Sequence, residues 1–546
     1  MRKLTPPARG MLSTFAGGNR GFDASGASIP SPIEGWDAVS PIAAMSPKRA
    51  VRLINWFPQP DWVEPRKGYT LHTDTLSSFP VETLAAYHGA TINKLFAASD
   101  DTIYDVTSAF ASVVSLTGTH GARYQYINFA NSGGNYLYMV NGEDDPIYYD
   151  GASWASATIT GVSGSDIVDV NAHKSRIWFA ERDTTDAWYL PIENIQGAAT
   201  RFPLGALFTN GGVLNSIGTW SVDAGTGPQD YIVFVSSRGQ VAIYGGIDPA
   251  SDFALVGVFD MGPPIGRRCL TKVGADLAII SLDGVLPLSK AMIFERAAVV
   301  NAALTQRIQR VMNQSASLYK DNFGWELISY PKGTRAILNV PVSENEEQVQ
   351  YVMNTLSGAW CQFTNMNANT WEVFVDDLYF GGNEGHVYLA DTGTTDYNNI
   401  FRADMMTAFN YFGSRGQQKR YMMCRPLINT DRQITPGLAF NVDFKDTAAI
   451  SVQSVAVPVD ALWDVALWDT GVWGGEVQVQ DSWTSVTGLG YCASVRMLIE
   501  VDQPDTGVAW GHALWGINNW GETNVSSESV LQVNSFDVLM QTGAYI

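Results

Sequence analysis

The chain has 546 residues, which is too long for one hydrophobic core of ordinary size, so we expect at least two domains. Only 16% of the residues are charged, 12% are aromatic, and Gly and Pro are frequent, a balance typical of many short strands joined by turns. The formal net charge of −20 argues against a protein that grips DNA through clustered Lys and Arg side chains.

The charge is unevenly distributed along the chain. Residues 1–75 hold nine Lys or Arg and six Asp or Glu (+3), residues 76–430 hold 22 and 34 (−12), and residues 431–546 hold three and 14 (−11). Met1–Lys3 is followed by Leu4–Pro7 rather than by an apolar run, so no signal peptide is expected. No stretch approaches about 18 consecutive apolar residues, so no membrane-spanning helix is expected either.

Residues 1–75 form the first predicted unit, an extended N-terminal arm with a segment leading into the next unit. Residues 1–50 are rich in Pro, Gly, Ser and Ala and show no steady period, which indicates an arm lying along another surface, with free disorder as the alternative. Arg52–Pro60 then places large apolar side chains before two prolines, which predicts a docked, extended segment.

Seven stretches between residues 81 and 405 share one pattern, in which two apolar, β-branched or aromatic runs flank a polar turn. This pattern predicts β-hairpins, and a spacing of about 47 residues is typical of propeller blades. The stretches are Leu95–Tyr104, Tyr136–Tyr149, Ile177–Tyr189, Tyr231–Tyr244, Leu277–Phe294, Arg335–Val352 and Asp377–Leu389. We predict an irregular β-propeller of six or seven blades over residues 76–410, with Tyr231–Tyr244 at the outer edge of one blade.

One segment inside the propeller has a helical period instead. Ala302–Tyr319 carries apolar residues at helical spacing, whereas Arg307 and Arg310 fall on the opposite side. Asn301 or Thr305 is a possible N-cap. We predict an amphipathic helix packed on the propeller, with a contact between subunits through the two arginines as the alternative.

The last predicted unit, residues 411–546, is a Trp-rich β domain resembling a β-sandwich, so the whole chain is predicted to be all-β. Tyr411–Gln418 has the composition of a linker, and Phe440–Phe444 and Val495–Val501 alternate as strands do. Two matching blocks carry tryptophans five residues apart: Trp463, Trp468 and Trp473, then Trp510, Trp515 and Trp520. We expect these side chains in a sandwich core or edge, with a subunit interface as the alternative.

No motif predicts a catalytic, metal or cofactor site. The four cysteines lie far apart and the six histidines occur singly, so neither a zinc site nor a disulfide framework is indicated. Nucleophile elbows, Walker loops and dinucleotide fingerprints are missing from the sequence. The acidic clusters, which we expect in solvated turns, are Asp100-Asp101, Glu143–Asp145, Glu344–Glu347 and Asp376-Asp377. The Asp-box typical of sialidase propellers does not recur, so we expect no enzyme.

The order of features along residues 45–410 resembles a known family. The stretches that carry the resemblance are Ile54–Pro58, Gly68–Leu71, Asp169–Phe179, Gly218–Trp220, Tyr231–Tyr244, Arg267–Cys269, Thr305–Met312, Trp325–Ile328 and Leu338–Pro341. In this order they are similar to the packaged-DNA stabilisation proteins, or tail nozzles, of short-tailed bacteriophages. The Trp blocks are not part of the pattern.

The resemblance implies a structural protein of the virion, assembled in the host cytoplasm as a homo-oligomeric ring of six copies. Such a ring would lie below an adaptor or portal ring, near tail fibres or spikes. It would retain packaged double-stranded DNA and conduct it during ejection. Six copies would carry a formal charge of about −120, so we expect an acidic lumen that binds phosphates weakly. The alternative hypothesis is a propeller glycan hydrolase or lectin acting on the host surface.

Overall fold

Residues 24–74, 76–223, 228–293, 296–397, 399–431, 434–446, 477–501 and 530–545 are described by the computed structural model of the chain. Strands dominate these residues, as the sequence predicts, and they form a propeller joined to a body of two further sheets. Five short strands precede the first blade: β1 Ala24–Pro30, β2 Ala50–Ile54, β3 Trp56–Pro58, β4 Val63–Pro65 and β5 Tyr69–Thr73.

The first four blades are separate antiparallel sheets of four strands each. The first two contain β6 Val81–His88, β7 Asn93–Ser99, β8 Thr102–Asp105 and β9 Val113–Thr117, then β10 Gln125–Asn131, β11 Gly134–Val140, β12 Ile147–Tyr149 and β13 Trp154–Ser156. A short parallel pair, β14 Ile159–Thr160 with β18 Gly197–Ala198, accompanies the third blade, which contains β15 Ile167–His173, β16 Arg176–Glu181, β17 Asp186–Tyr189 and β19 Thr200–Pro203. The fourth contains β20 Leu214–Asp223, β21 Pro228–Ser236, β22 Gln240–Gly245 and β23 Ala254–Asp260.

Two more separate sheets complete a set of six blades, and the position between them is filled by a larger sheet. The fifth blade has three strands, β24 Leu270–Val273, β25 Asp276–Ser281 and β26 Gly284–Pro287. Next come β27 Glu326–Tyr330, β28 Arg335–Ser343, β29 Glu347–Asn354 and β30 Trp360–Phe363, which begin an eight-stranded sheet. The sixth blade contains β31 Thr370–Phe374, β32 Asp377–Gly381 and β33 Val387–Ala390. The predicted count of six or seven therefore depends on whether the shared sheet is counted.

The ring of blades is closed by the N-terminal part of the chain. Strand β5 pairs antiparallel with β33, so residues near the start of the chain provide the outermost strand of the last blade. The first strands β6, β10, β15, β20, β24, β27 and β31 lie side by side around a central channel. Closure occupies the free hydrogen-bonding edge of β33, which would otherwise expose unpaired backbone groups.

All seven predicted hairpins form the second and third strands of their sheets. In the fourth blade, β21 pairs with β20 and β22 pairs with β23, so Tyr231–Tyr244 is interior and the predicted outer edge is wrong. Interior strands are covered on both sides by neighbouring strands and on both faces by adjacent blades, which explains why they are the most apolar. The turn contains Gly239 at φ 87°, while the Arg238 side chain beside it is exposed.

The eight-stranded sheet joins the propeller to the rest of the molecule. Its order is β27-β28-β29-β30-β2-β34-β39-β36, where β34 is Phe401–Thr407, β36 is Gly437–Val442 and β39 is Ala493–Val501. Strand β2 pairs in parallel with β30 and antiparallel with β34. The N-terminal segment is therefore inserted between propeller strands and C-terminal strands, and the sheet continues across the predicted division at residue 410.

A seven-stranded sheet packs against this sheet to form the predicted sandwich. It contains β35 Gln417–Thr430, β37 Gln478–Gln480, β38 Thr484–Gly490 and β40 Leu531–Tyr545, together with β1, β3 and β4. A shared core of buried side chains, including Trp56, Phe57, Tyr421 and Met497, fills the space between the two sheets. Strands from both ends of the described chain thus build one body, with the N-terminal arm as part of its sheets.

The buried side chain of Arg66 connects this body to the last blade. Its guanidinium binds both carboxylate oxygens of Asp396 at 2.7 and 2.5 Å, donates to Asn55 Oδ1 at 2.9 Å, and lies 4.0 Å from the ring centroid of Phe401. A buried charge is stable only when its hydrogen-bond donors have acceptors. Here the carboxylate of Asp396 accepts two hydrogen bonds from the guanidinium.

In the part of the chain that the structure describes, helices are few and short. They are α1 Leu288–Ala291, α2 Arg296–Val299 and α3 Gln309–Tyr319, with 3-10 turns at Ile42–Ala44, Gly164–Asp166, Val300–Ala302 and Gln306–Ile308. The α-helix begins later than the predicted Ala302 because the Leu304 N–H donates to the Val285 carbonyl of β26 at 2.9 Å. Thr305, a predicted N-cap, precedes the 3-10 turn Gln306–Ile308, but its side chain makes no capping hydrogen bond. Within the described ranges, no helix is long and apolar enough to cross a bilayer.

Candidate functional site

A polar cavity of about 420 Å³ opens in the central channel of the propeller. First strands of five successive sheets, β10, β15, β20, β24 and β27, contribute its walls. Its charged lining residues are Asp169, Arg267, Arg268, Lys272 and Glu326. The channel gathers these groups because each sits on, or just before, an innermost strand that faces the axis of the ring.

Arg268 joins distant blades at one side of the cavity. Its Nη2 donates to Thr83 Oγ1 at 2.8 Å, to the Glu82 carbonyl at 3.0 Å and to the Tyr124 carbonyl at 3.1 Å. Its Nη1 donates to Thr370 Oγ1 at 3.0 Å and lies 3.6 Å from a carboxylate oxygen of Glu326. The guanidinium is thus held by residues from the first, second and sixth blades and from β27. We infer that Arg268 has a positioning role, in which it holds the inner strands of these sheets together.

A partly buried acidic pair, Glu326 and Glu372, lies beside Arg268. The Tyr126 hydroxyl donates to Glu372, and the Trp371 N–H donates to Glu326 at 3.2 Å. Burial raises the pKa of Glu372 to about 8, although the hydrogen bond from Tyr126 opposes this. Burial also raises the pKa of Glu326, with Arg268 acting in the opposite direction. Burial therefore favours the protonated form of Glu372 at neutral pH.

Asp169 and Arg267 lie on the other side of the cavity. Asp169 accepts the Ile217 N–H at 2.7 Å, and burial raises the pKa of this carboxyl to about 7. Burial lowers the pKa of Arg267, whose Nη1 donates to the Asn215 carbonyl at 3.2 Å. The Coulombic attraction between Asp169 and Arg267 favours the charged form of each. Cys269 is buried nearby, and burial raises the pKa of its thiol to about 11, so it remains a neutral thiol.

The two arginines that the sequence predicts at an interface do not line this cavity. Arg307 lies in a 3-10 turn and Arg310 in α3, and both side chains are exposed, while Ile308 and Met312 are buried against the propeller. The six tryptophans lie outside the described residues: Trp463, Trp468, Trp473, Trp510, Trp515 and Trp520. An interface role for all eight residues stays a prediction.

Residues of three acidic clusters predicted in turns contact polar or basic groups. Asp144 accepts hydrogen bonds from the Asn141 amide and the His120 N–H, Glu344 pairs with Arg123, and Asp377 pairs with Lys332. In the part of the chain that the structure describes, no group of three or more His, Cys, Asp or Glu side chains could hold a metal ion.

Sequence reasoning did not identify the cavity residues as a site. Asp169, Arg268 and Glu326 are separated by 58 to 99 positions along the chain, and none belongs to a local catalytic motif. A usable signal was nevertheless present. A carboxylate or arginine inside an apolar strand or directly before it is unusual, and it indicates a buried partner.

Comparisons with known proteins add little beyond the fold. No protein-family model matches the sequence, and no curated protein matches it. Solved structures similar to the chain include BBS1N in complex with ARL6DN (8% identity, 60% of this chain and 97% of that chain, TM-score 0.36). Others are Saccharomyces cerevisiae Sqt1 (11%, 59% and 99%, 0.34) and a streptogramin B lyase (9%, 58% and 95%, 0.37). Likenesses at these values carry no argument about function.

Proposed function

We propose that the chain is a structural subunit of the tail nozzle of a short-tailed bacteriophage. In this role six copies form a ring at the distal end of the tail, below an adaptor or portal ring and near fibres or spikes. The ring retains packaged double-stranded DNA and conducts it on infection. The protein has no enzymatic step in this proposal, and its location is the virion.

The observation that carries the proposal is the convergence of the family-like stretches. Four of them, Asp169–Phe179, Gly218–Trp220, Arg267–Cys269 and Trp325–Ile328, supply nine lining residues of the same cavity: Asp169, Val170, Asn171, Ala172, Gly218, Thr219, Arg267, Arg268 and Glu326. Stretches separated by tens of residues meet at one place in the channel. Convergence of this kind supports the view that the order of these stretches along the chain reflects the architecture and did not arise by chance.

The first of the stretches that carry the resemblance, Ile54–Pro58, supports the proposal in a second way. Ile54–Pro58 crosses from β2 in the eight-stranded sheet to β3 in the seven-stranded sheet, and Trp56 and Phe57 are fully buried there. This segment links the propeller to the sandwich through continuous sheets. A rigid link between two bodies suits a subunit that must keep its shape under the pressure of packaged DNA.

The net charge of the chain favours conduction of DNA over its retention through contacts with phosphates. Firm binding of a duplex needs clustered Lys and Arg side chains, and each such contact must break as the DNA moves. A chain of net charge −20 repels phosphates on average, so it offers few firm contacts that would have to break. We propose that the wall of the assembled lumen is acidic. A ring structure with a predominantly basic channel wall would contradict this part of the proposal.

The proposal is tested by stoichiometry and by particle phenotype. Imaging of intact tails should show six copies of the chain in a ring at the distal end. Particles produced without the chain should be empty or lose their DNA, measured as the ratio of packaged genomes to capsids. A chain missing from purified virions, or mutant particles that hold DNA normally, would overturn the nozzle assignment.

The second candidate function is the propeller glycan hydrolase or lectin. It is favoured by the acidic pair of Glu326 and Glu372, since a carboxyl group protonated at neutral pH is what a general acid requires. Glu372→Gln should then abolish release of reducing sugar from host surface polysaccharide. If wild-type protein releases none, the hydrolase is excluded.

A further inference from the structure

The cavity holds cationic groups with unused hydrogen-bond donors. Lys272 on β24 lines the cavity, is exposed, and makes no ion pair or side-chain hydrogen bond with any described residue. Arg267 uses one guanidinium nitrogen for the Asn215 carbonyl, and its other nitrogens form no hydrogen bond within the described part of the chain. Two cations with free donors in a concave site are a common arrangement for binding an anion.

The same cavity contains acceptors and neutral polar groups. Asp169 and Glu326 provide carboxylate oxygens, and Gln125 provides an amide without a hydrogen bond to a described residue. Asn171 donates to Thr219 Oγ1 at 2.9 Å, which orients this amide on the wall. Carboxylates and amides together match the hydroxyls of a sugar ring.

The chain as a whole limits the charge of the ligand. A net charge of −20 repels polyanions such as nucleic acids, whereas a ligand with a single anionic group loses little by approaching. A volume of about 420 Å³ lies in the range of small-molecule sites, roughly 300–1,000 Å³. A duplex could not enter a space of this size.

We propose that the channel cavity is a binding site for an anionic monosaccharide unit, a sugar ring carrying one carboxylate or phosphate group. The anionic group binds Arg267 and Lys272, and the hydroxyls donate to Asp169 and Glu326. The site goes beyond the nozzle function, and it gives the glycan-directed alternative a ligand class. It belongs to one subunit and does not depend on ring formation.

Calorimetric titration of the full-length chain tests the site directly. The probes are D-glucuronate, glucose 6-phosphate, D-glucose, inorganic phosphate and L-glutamate. We expect saturable binding of glucuronate, of glucose 6-phosphate or of both, which identifies carboxylate or phosphate as the source of the anion. D-glucose should bind at least roughly tenfold more weakly, because it lacks the charge-assisted hydrogen bonds.

Matched variants locate the site. Lys272→Gln should weaken binding of the anionic sugar roughly tenfold or more, because one charge-assisted contact is lost. Lys320→Gln removes the same charge from an exposed position beyond α3 and should bind like wild type. Absence of anionic-sugar binding would overturn the proposal, as would equal binding of glucose, phosphate or glutamate, or a Lys272→Gln variant with unchanged affinity. Failure here leaves the ring stoichiometry of the nozzle untouched, so the two proposals fail separately.

Discussion

Replacing Asp169 by Asn removes a buried titrating group from the channel while keeping its shape. The side-chain oxygen of Asn can still accept the Ile217 N–H, which donates at 2.7 Å in the wild-type protein. Asp169 as a whole residue is only 6% exposed, so solvent screens it little. We expect the variant to differ from wild type in the pH dependence of its stability rather than in its fold.

The sign follows from the direction of the pKa shift. The folded-state pKa of Asp169 is raised from 3.8 to about 7, so between these values the folded protein binds a proton that the unfolded chain releases. The stabilisation from this proton is fully present below pH 3.8 and is lost as the pH rises through about 7. Each pKa unit corresponds to about 1.4 kcal/mol, so the total change is about 4 kcal/mol and that between pH 5 and pH 8 about 3 kcal/mol.

Urea denaturation at pH 5, 6, 7 and 8 measures this difference. Relative to wild type, Asp169→Asn should gain about 3 kcal/mol in the free energy of unfolding from pH 5 to pH 8, because Asn does not titrate. Asp321→Asn, at an exposed position after α3, is the control for the loss of one negative charge. Parallel stability profiles for wild type and Asp169→Asn over this range would refute the reasoning.

Three further variants test the junction, the central hairpin and the channel. Arg66→Met should lower the free energy of unfolding by about 3–5 kcal/mol by leaving Asp396 buried without its cation, and Asp396→Asn in the same chain should restore part of the loss. No loss in the single variant, measured in urea, would contradict this. Gly239→Ala places a Cβ 2.4 Å from the Met261 carbonyl at φ 87°, so it should lower the melting temperature more than Gly274→Ala, where φ is 62° and the space is open. Equal melting temperatures would argue against a steric cause. Arg268→Met should speed amide hydrogen exchange in β6 and β31, whose residues bind the guanidinium, and unchanged exchange there would contradict its positioning role.

The local sequence pattern was sufficient to predict the hairpins but not to predict their position within a blade. Tyr231–Tyr244 shows two apolar runs around a turn, and those runs became strands because period and turn chemistry act between near neighbours. Its interior position depends on β20 and β23, whose pairing is set by the packing of whole blades. The start of the helix was also beyond local pattern. It depends on the Leu304 N–H, which donates to the Val285 carbonyl of a strand nearly 20 residues earlier in the chain.

The sequence by itself determined the all-β class, the repeated hairpins and the extended leading segment, because each follows from side-chain periodicity and turn residues over a few positions. Only the tertiary structure decided that β5 closes the last blade, that β2 lies between propeller and sandwich strands, and that Asp169, Arg268 and Glu326 line one cavity. These three outcomes join residues far apart in the chain. Their partners are selected by ring closure and shared burial, which no local pattern encodes.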